Sequence, residues 1–502
     1  MRGPRFLGSL AGGSAAGAVS LAFLWAAGQA ASTIPFPPFS LAARIIRITP
    51  GGVTTFLIES LQHNAIRLLA AVVTVSFLLI AGCLPLLLNR ARRSGPWAAA
   101  LAFAGVLTVA VLADPIEHGP VAAVMCLAAG VIYGFTAQWL AQTDPLASSG
   151  PLVSRRETFS WMAMTTGALL LGGTGLRALL GRRGEASTNV RLAPVDEVAR
   201  APHRGPFPSV PGLSPEVTPA ARHYVVDIDL VDPVVQADSW TLKVDGAVRR
   251  PQTHTFNELQ STFSVVEEHS VLTCISNEVG GPLIGNSKWA GVRLRDVLQH
   301  AGVATGATNV VFDCADGYTA SIPLSRALEP SALLAVAQDG RPLRPEHGFP
   351  CRMRVPALYG MLNAKWLEHI HVVRSPQPGY WAQRGWSTTA VVRTESRIDT
   401  RDAVRAGEAA WLGGVAWAGD RGISRVQVTL DGGRVWQDAL LHPALSRCAW
   451  VQWAFRWTPA RRGDYRVACR ATDGQGAAQD ERDRPPHPTG ATGYHEIAIV
   501  AL

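Results

Sequence analysis

Lysine is almost absent from this chain: arginine outnumbers it 43 to 3, a bias of the kind set by genomic base composition. The survivors are therefore informative, and two of them stand in the pairs Lys288-Trp289 and Lys365-Trp366. An ammonium is a compact point charge and a guanidinium a planar fork, so the two are not interchangeable at a tight site. No Cys-x-x-Cys-His occurs, which excludes covalently attached haem. The seven cysteines (83, 126, 274, 314, 351, 448 and 469) show no paired spacing of the zinc-binding kind. Cys83 and Cys126 fall in apolar runs and read as packing residues. Cys448 and Cys469 could bridge in an oxidising compartment; the reading favours no bridge. The basic residues are scattered without aromatic interleaving, so a net charge of +8 marks no nucleic-acid surface. Carboxylates are missing from the middle of the apolar runs, with Asp114 and Glu117 at a helix end. That removes the intramembrane acids coupled transport commonly uses.

What the chain has is length and apolar sequence. At 502 residues it exceeds one core and should form two or three domains. Its 48% hydrophobic content is concentrated in the first 180 residues. Five apolar stretches, 6–28, 68–88, 97–113, 119–141 and 159–176, approach or meet the roughly 17–20 residues of a spanning helix. The fifth is broken by Gly172, Gly173 and Gly175. Arg2 and Arg5, then Arg90, Arg92 and Arg93, then Arg155 and Arg156 fall on one side if every stretch crosses, which places the N-terminus inside and everything after the fifth span outside. Arg182 and Arg183 argue weakly against this. The loop 29–64, with Pro35, Pro37 and Pro38, would lie outside and carry a short surface helix. His63 and His118 lie near outer helix ends, but interfacial histidines are common and their spacing gives no convincing haem pair.

Residues 1–184 thus read as a transmembrane region and 185–222, rich in Pro, Gly, Arg and Ser, as an extended tether. From Tyr224-Val-Val-Asp-Ile-Asp-Leu the apolar period is two, as in a strand. Trp240–Gly246 reads as another strand, and Thr255 with Glu258 as a helix cap. Strands mixed with short helices (Leu294–Ala301, Leu324–Leu328) and a closing strand at Ile370–Arg374 make 223–378 an α+β domain. In 379–502 the runs Ala410–Trp417, Ile423–Leu430, Trp450–Trp457, Tyr465–Gly474 and Tyr494–Val500 are short alternating strands at sandwich-like spacing, with Asp431-Gly432-Gly433 as a hairpin signal.

Cys274 sits in Val-Leu-Thr-Cys-Ile-Ser-Asn-Glu-Val-Gly-Gly (271–281). It is followed by Lys288-Trp289-Ala-Gly-Val-Arg-Leu-Arg-Asp296, by His347-Gly-Phe-Pro-Cys-Arg352-Met-Arg-Val-Pro356, and by Asn363-Ala364-Lys365-Trp366. From about Tyr224 onward this series resembles the molybdopterin-dependent sulfite oxidase superfamily. The resemblance implies a molybdenum–molybdopterin cofactor with Cys274 as its protein thiolate. It implies His347, Arg352, Asn363, Ala364 and Lys365 as holders of the phosphate and pterin, and Asn277 as the polar residue of the cysteine loop. Tyr318, in Asp316-Gly-Tyr318, matches the active-site tyrosine, and Asp316 reads as a turn former. Arg421 corresponds to an arginine supplied by the C-terminal domain, with spacing off by one. That domain would be immunoglobulin-like and would form a homodimer. The superfamily's other two substrate-binding arginines are missing: Val226 stands at one position and Glu278-Val279 at the other. Sulfite is therefore not the expected substrate, although two-electron oxygen-atom transfer on a small molecule is.

Molybdopterin is inserted in the cytoplasm, so an external domain holding it must cross folded. That favours reading Ser154-Arg155-Arg156-Glu-Thr-Phe159 as a twin-arginine export signal over an ordinary positive flank, although Phe159 lies one position late. The electron partner would be a quinone or redox protein at the membrane. The competing readings are a receptor or assembly protein with a degenerate enzyme-like ectodomain and a five-helix transporter. Retention of Cys274, His347, Arg352 and Lys365 weighs against the former.

Overall fold

The computed structural model describes residues 3–30, 34–50, 53, 64–88, 95–114, 119–142, 167, 190–198, 202, 205–228, 232–400 and 403–502. His63, His118, the arginine clusters at 90–93 and 155–156, and all but residue 167 of the fifth apolar stretch lie outside them. The chain divides into two compact units: residues 1–185 with 228–234, and residues 186–227 with 235–502.

The first unit is helical: α1 (Gly3–Ala30), α2 (Pro37–Ile48), α3 (Asn64–Leu88), α4 (Gly95–Leu112) and α5 (Pro120–Gln142). Small residues let the backbones close. A Cβ on Gly17 would lie 2.5 Å from the Ala81 methyl of α3, and one on Gly130 would lie 2.5 Å from that of Ala104 on α4. Such close approach is the usual means of packing apolar helices where burial from water offers nothing. The segments Leu10–Gln29, Ile66–Leu88 and Pro120–Leu140 are long and apolar enough to cross a membrane; Trp97–Leu112 is apolar but shorter. Leu68, Val72, Leu101 and Val109 point outward with half or more of their area exposed. These are the marks of a membrane-associating region. A short helix is present in the 29–64 segment as α2, begun by Pro37 and Pro38 and carrying Arg44 and Arg47.

The second unit opens with a correction. Residues 224–228 form no strand, although they alternate like one, because the Tyr224 ring is drawn into the interior rather than onto a sheet face. The described parts of 190–219 are mostly extended but docked, and Ala220–Arg222 form a short 3-10 turn. Glu197 pairs in parallel with Val266, Asp196 Oδ2 accepts from Val265 N–H, and Asn286 Nδ2 and Trp450 Nε1 both donate to Glu216 O. Proline removes donors but leaves carbonyls, and side chains of the domain use them.

Ten strands build the central region: β1 (Thr241–Gly246), β2 (Gln252–Thr255), β3 (Val265–Thr273), β4 (Ile284–Arg293), β5 (Asn309–Cys314), β6 (Thr319–Pro323), β7 (Leu333–Gln338), β8 (Arg341–Pro342), β9 (Arg352–Arg354) and β10 (Leu367–Val373). One sheet runs β2-β1-β10-β5-β6 and the other β3-β4-β7-β8, with β9 on β7. Helix α6 (Phe256–Thr262) starts in the expected capping box between Thr255 and Glu258. Helices α7 (Leu294–Ala301) and α8 (Leu324–Ala327) follow as read from sequence.

The C-terminal region is all β: β11 (Glu395–Ile398), β12 (Ala410–Trp417), β13 (Ile423–Thr429), β14 (Gln437–Asp438), β15 (Leu440–His442), β16 (Val451–Trp457), β17 (Gly463–Asp473) and β18 (His495–Ala501). They form two antiparallel sheets, β11-β12-β16-β15 and β14-β13-β17-β18. Leu412, Trp453, Val426, Val467 and Ile499 belong to the core they share. Cys448 and Cys469 are free, buried thiols.

Candidate active site

Cys274 opens the turn joining β3 to β4. Its N–H donates to Leu283 O at 2.9 Å, and Asn277 N–H donates to Cys274 O at 3.2 Å. The Asn277 side chain closes the loop from inside. Its Oδ1 accepts from Leu283 N–H at 2.8 Å, while Nδ2 is buried with no partner among the described residues. The sulfur lies 3.0 Å from Ser276 Oγ. Burial pushes the Cys274 thiol up, against hydrogen bonds from Ser276 and the Ile275 backbone that favour the thiolate. A thiolate here therefore needs a cation at the sulfur.

Tyr318 follows β5 in a turn set by Asp316, whose Oδ1 accepts the Tyr318 N–H at 3.0 Å. The phenol donates to Met361 O at 2.6 Å. Burial, then the neighbouring Cys314, Asp316 and Cys274, hold its pKa well above the ordinary value, so it remains a donor. Beside Met361, Gly360 admits the ring of Tyr224: a Cβ there would stand 2.7 Å from Tyr224 Oη and 3.7 Å from Cys274 Cα. Residues 360–361 thus bring Tyr224, Tyr318 and Cys274 together. A cavity of about 210 Å³ borders Tyr318, Met361, Leu362, Pro378 and Trp381.

Next to the cysteine loop the domain buries basic groups. His347 Nε2 lies 2.8 Å from Ala220 O; a carbonyl only accepts, so the proton sits on Nε2. Burial lowers the His347 pKa to about 4. Burial and then His347 lower that of His223 to about 3. The two rings meet edge to face at 5.6 Å, both neutral near pH 7. His223 has room because β4 carries Gly285, where a Cβ would come within 2.6 Å of the ring.

Arg352 and Arg354, alternate residues of β9, are 4% and 1% exposed. Their guanidinium carbons lie 5.3 and 5.5 Å from the Trp289 ring centre. Arg352 donates to His347 O and Asn363 O; Arg354 donates to Asn363 Oδ1, Ser270 Oγ and Val271 O. Both acceptor sets are neutral, and each Nε is buried without a partner among the described residues. Desolvation lowers both pKa values only to about 10, so both stay charged. Asp227 and Glu268 lie near enough to favour the charged forms of Arg352 and Arg354 respectively, but among the described residues neither cation has a carboxylate in hydrogen-bond contact, and burying two such cations costs several kcal/mol. His223 Nδ1 lies 3.3 Å from Tyr224 O, so its proton sits there and its unpartnered Nε2 is an acceptor; with the unpartnered Nδ2 donor of Asn277, the two arginines fit an anionic ligand rich in acceptors, as a pterin phosphate is.

The other sequence candidates serve differently. Asn363 is consumed in the turn: Oδ1 accepts from Arg354 and Val355 N–H, and Nδ2 donates to Leu358 O and Tyr359 O. Ala364 O accepts Met353 N–H. Lys365 Nζ is paired with Asp227 and donates to Glu346 O at 2.9 Å, while Lys288 pairs with Glu267 at 2.9 Å. Arg421 pairs with buried Asp473 at 2.8 Å and donates to Val392 O and Thr394 Oγ1. The C-terminal arginine that reaches the cysteine loop is Arg397, which donates to Gly281 O at 3.0 Å and is held by Asp399. Sequence reasoning passed over Arg397, Arg354, His223 and Tyr224. Arg354 shared the Arg-Met-Arg run with Arg352, and two arginines at strand spacing were the available signal.

Residues 229–381 match the family described as oxidoreductase molybdopterin binding domain. The chain is 33% identical to sulfite oxidase of Gallus gallus over 305 residues, half of this chain and 66% of that one. It is 31% identical to nitrate reductase [NAD(P)H] of Hordeum vulgare over 324 residues, 52% of this chain and 36% of that one. The chain thus spans between about a third and two thirds of these curated relatives. The crystal structure of the sulfane dehydrogenase SoxCD from Paracoccus pantotrophus aligns over 60% of this chain and 90% of its own, with a TM-score of 0.51 at 20% identity, a likeness of fold. The chain belongs to the sulfite oxidase superfamily of molybdopterin-dependent oxidoreductases.

Proposed function

We propose that the protein is a membrane-anchored molybdenum oxidoreductase catalysing two-electron oxygen-atom transfer on a small molecule outside the cytoplasm. The observation that carries this reading is the buried pair Arg352 and Arg354, with no carboxylate in hydrogen-bond contact among the described residues, beside Cys274 and the unpartnered Asn277 Nδ2 donor. When bound, molybdenum held by a pterin dithiolene and the Cys274 sulfur would supply the change between oxidation states VI and IV. Arg352, Arg354, His347 and His223 would hold the phosphate and pterin. Asn277 would keep the cysteine loop in shape, and Asn363, Ala364 and Lys365 would position β9 and the His347 turn. The Tyr318 phenol, on turning from Met361 O, and Tyr224 beside it, would donate to an oxyanion at the reacting centre.

The substrate pocket reads as less cationic than a sulfite site. Val226 is 39% exposed and brings no charge, Glu278-Val279 brings none that is positive, and Arg421 is engaged by Asp473. We therefore favour a neutral or singly charged oxo donor or acceptor over sulfite. Residues 1–184 would form a multi-pass anchor with the N-terminus inside, 185–222 the connecting segment, 223–378 the catalytic domain, and 379–502 an immunoglobulin-like domain able to form a homodimer. Arg155-Arg156 would serve export of the folded domain, and electrons would pass to a quinone or redox protein.

Metal and pterin analysis of the purified full chain tests the cofactor: one molybdenum per chain is expected, and none would return the chain to the cofactor-free reading. Assays in both directions with artificial electron carriers test the substrate. Sulfite should perform poorly, and Val226→Arg should improve its binding. A high sulfite kcat/KM with a low KM would place the protein with the sulfite oxidisers.

A further inference from the structure

One face of the sheet β2-β1-β10-β5-β6 is apolar and buried, with Leu242, Val244, Ile370, Val372 and Phe312 at 0–1% exposure. The other gathers His369 and His371 from β10 and Asp245 from β1. They share a face because His369 and His371 are two residues apart, and Asp245 stands opposite His371 in the parallel β1–β10 register. Asp245 Oδ1 lies 2.8 Å from His369 Nε2 and 2.5 Å from His371 Nδ1. The three ligand atoms all fall within 4.8 Å of one another. Asp313 Oδ2, on β5, stands 3.4 Å from His369 Nδ1. A carboxylate behind a histidine holds the proton on the nitrogen facing it, here Nδ1 of His369, and leaves Nε2 free to ligate. Lys243 does not fill the place: it contacts Oδ2, the other carboxylate oxygen, and its side chain is 56% exposed.

We infer that Asp245, His369 and His371 bind a divalent transition-metal ion, zinc or a neighbour of it, separate from the molybdenum centre. Two imidazoles and one carboxylate suit these ions, and the half-exposed position leaves a coordination place for water. The ion would staple β1 to β10, whose first residues continue directly from Lys365-Trp366.

The probe is Zn²⁺ titrated into detergent-purified, molybdenum-loaded full chain against a chromophoric chelator, with Co²⁺ absorption as the second readout. One ion per chain is expected beyond molybdenum. His369→Gln and His371→Gln should each remove it with molybdenum content unchanged. Asp313→Asn, at an exposed carboxylate that leaves the sheet intact, should weaken binding roughly 10–100-fold. Lys243→Met should leave binding equal or tighter. Substoichiometric zinc, or wild-type affinity in both histidine variants, would overturn the site. So would a loss in Lys243→Met equal to that in the histidine variants, since it would mark a salt-bridge network and no metal site.

Discussion

Both halves of the second unit draw arginine largely out of solvent, and they treat it in opposite ways. In the C-terminal sheets Arg421 has Asp473 and Arg397 has Asp399, each a carboxylate at 2.7–2.8 Å. On β9, the hydrogen bonds of Arg352 and Arg354 among the described residues go only to carbonyls, an amide and a hydroxyl. A paired guanidinium is finished structure. An unpaired one, buried more deeply still, is a place where an anion is still to come.

The largest effect should come from the thiol beside those cations. Cys274→Ser should abolish turnover with every substrate while pterin still binds, whereas replacing Cys314 or Cys351 should do far less. Activity retained in Cys274→Ser would remove it as ligand. Next, Arg352→Met should lower bound pterin by about tenfold, the scale of one charge-assisted contact, and leave the melting temperature of cofactor-free protein unchanged or higher. Arg421→Met should do the reverse. It strands Asp473 and should cost about 3 kcal/mol in denaturant melts, with pterin per folded chain unchanged. If the two variants behave alike, the contrast between the regions is wrong.

A smaller effect separates cofactor-free from loaded protein by pH. Unfolded imidazoles protonate near pH 6.5, while His347 resists to about 4 and His223 to about 3. The unfolded chain therefore binds more protons in that window. Stability is fully present above about pH 6.5 and falls as the pH drops toward 4. Urea melts should show this slope in cofactor-free protein and a shallower one in loaded protein, where a nearby phosphate eases protonation. Smallest, Lys365→Arg should weaken cofactor retention a few-fold, because a planar fork replaces a point charge between Asp227 and Glu346 O.

Local chemistry was the legible part. Thr255 and Glu258 announced their capping box, period-two runs announced β12, β13, β16, β17 and β18, and the cysteine motif announced the β3–β4 turn. What failed was whatever depends on a distant partner. Tyr224 alternates like a strand residue, yet Gly360, more than a hundred positions later, makes the room that draws its ring inward. Arg421 looked available because Asp473 is 52 residues away. Asn363 looked like a ligand holder, whereas its four hydrogen bonds hold its own turn.

The docked stretch 190–222 bears on how a soluble form of this enzyme could be prepared. In its sheet β3 is an edge, and Glu197 with its neighbours covers part of it. Starting the polypeptide at 223, where the prolines end, would bare that edge and strand Asn286 and Trp450, and open edges recruit other chains. Such a truncation should emerge as aggregate. One beginning near 190 should stay monodisperse in size-exclusion chromatography or as a defined dimer, which makes this proline-rich stretch part of the enzyme's solubility.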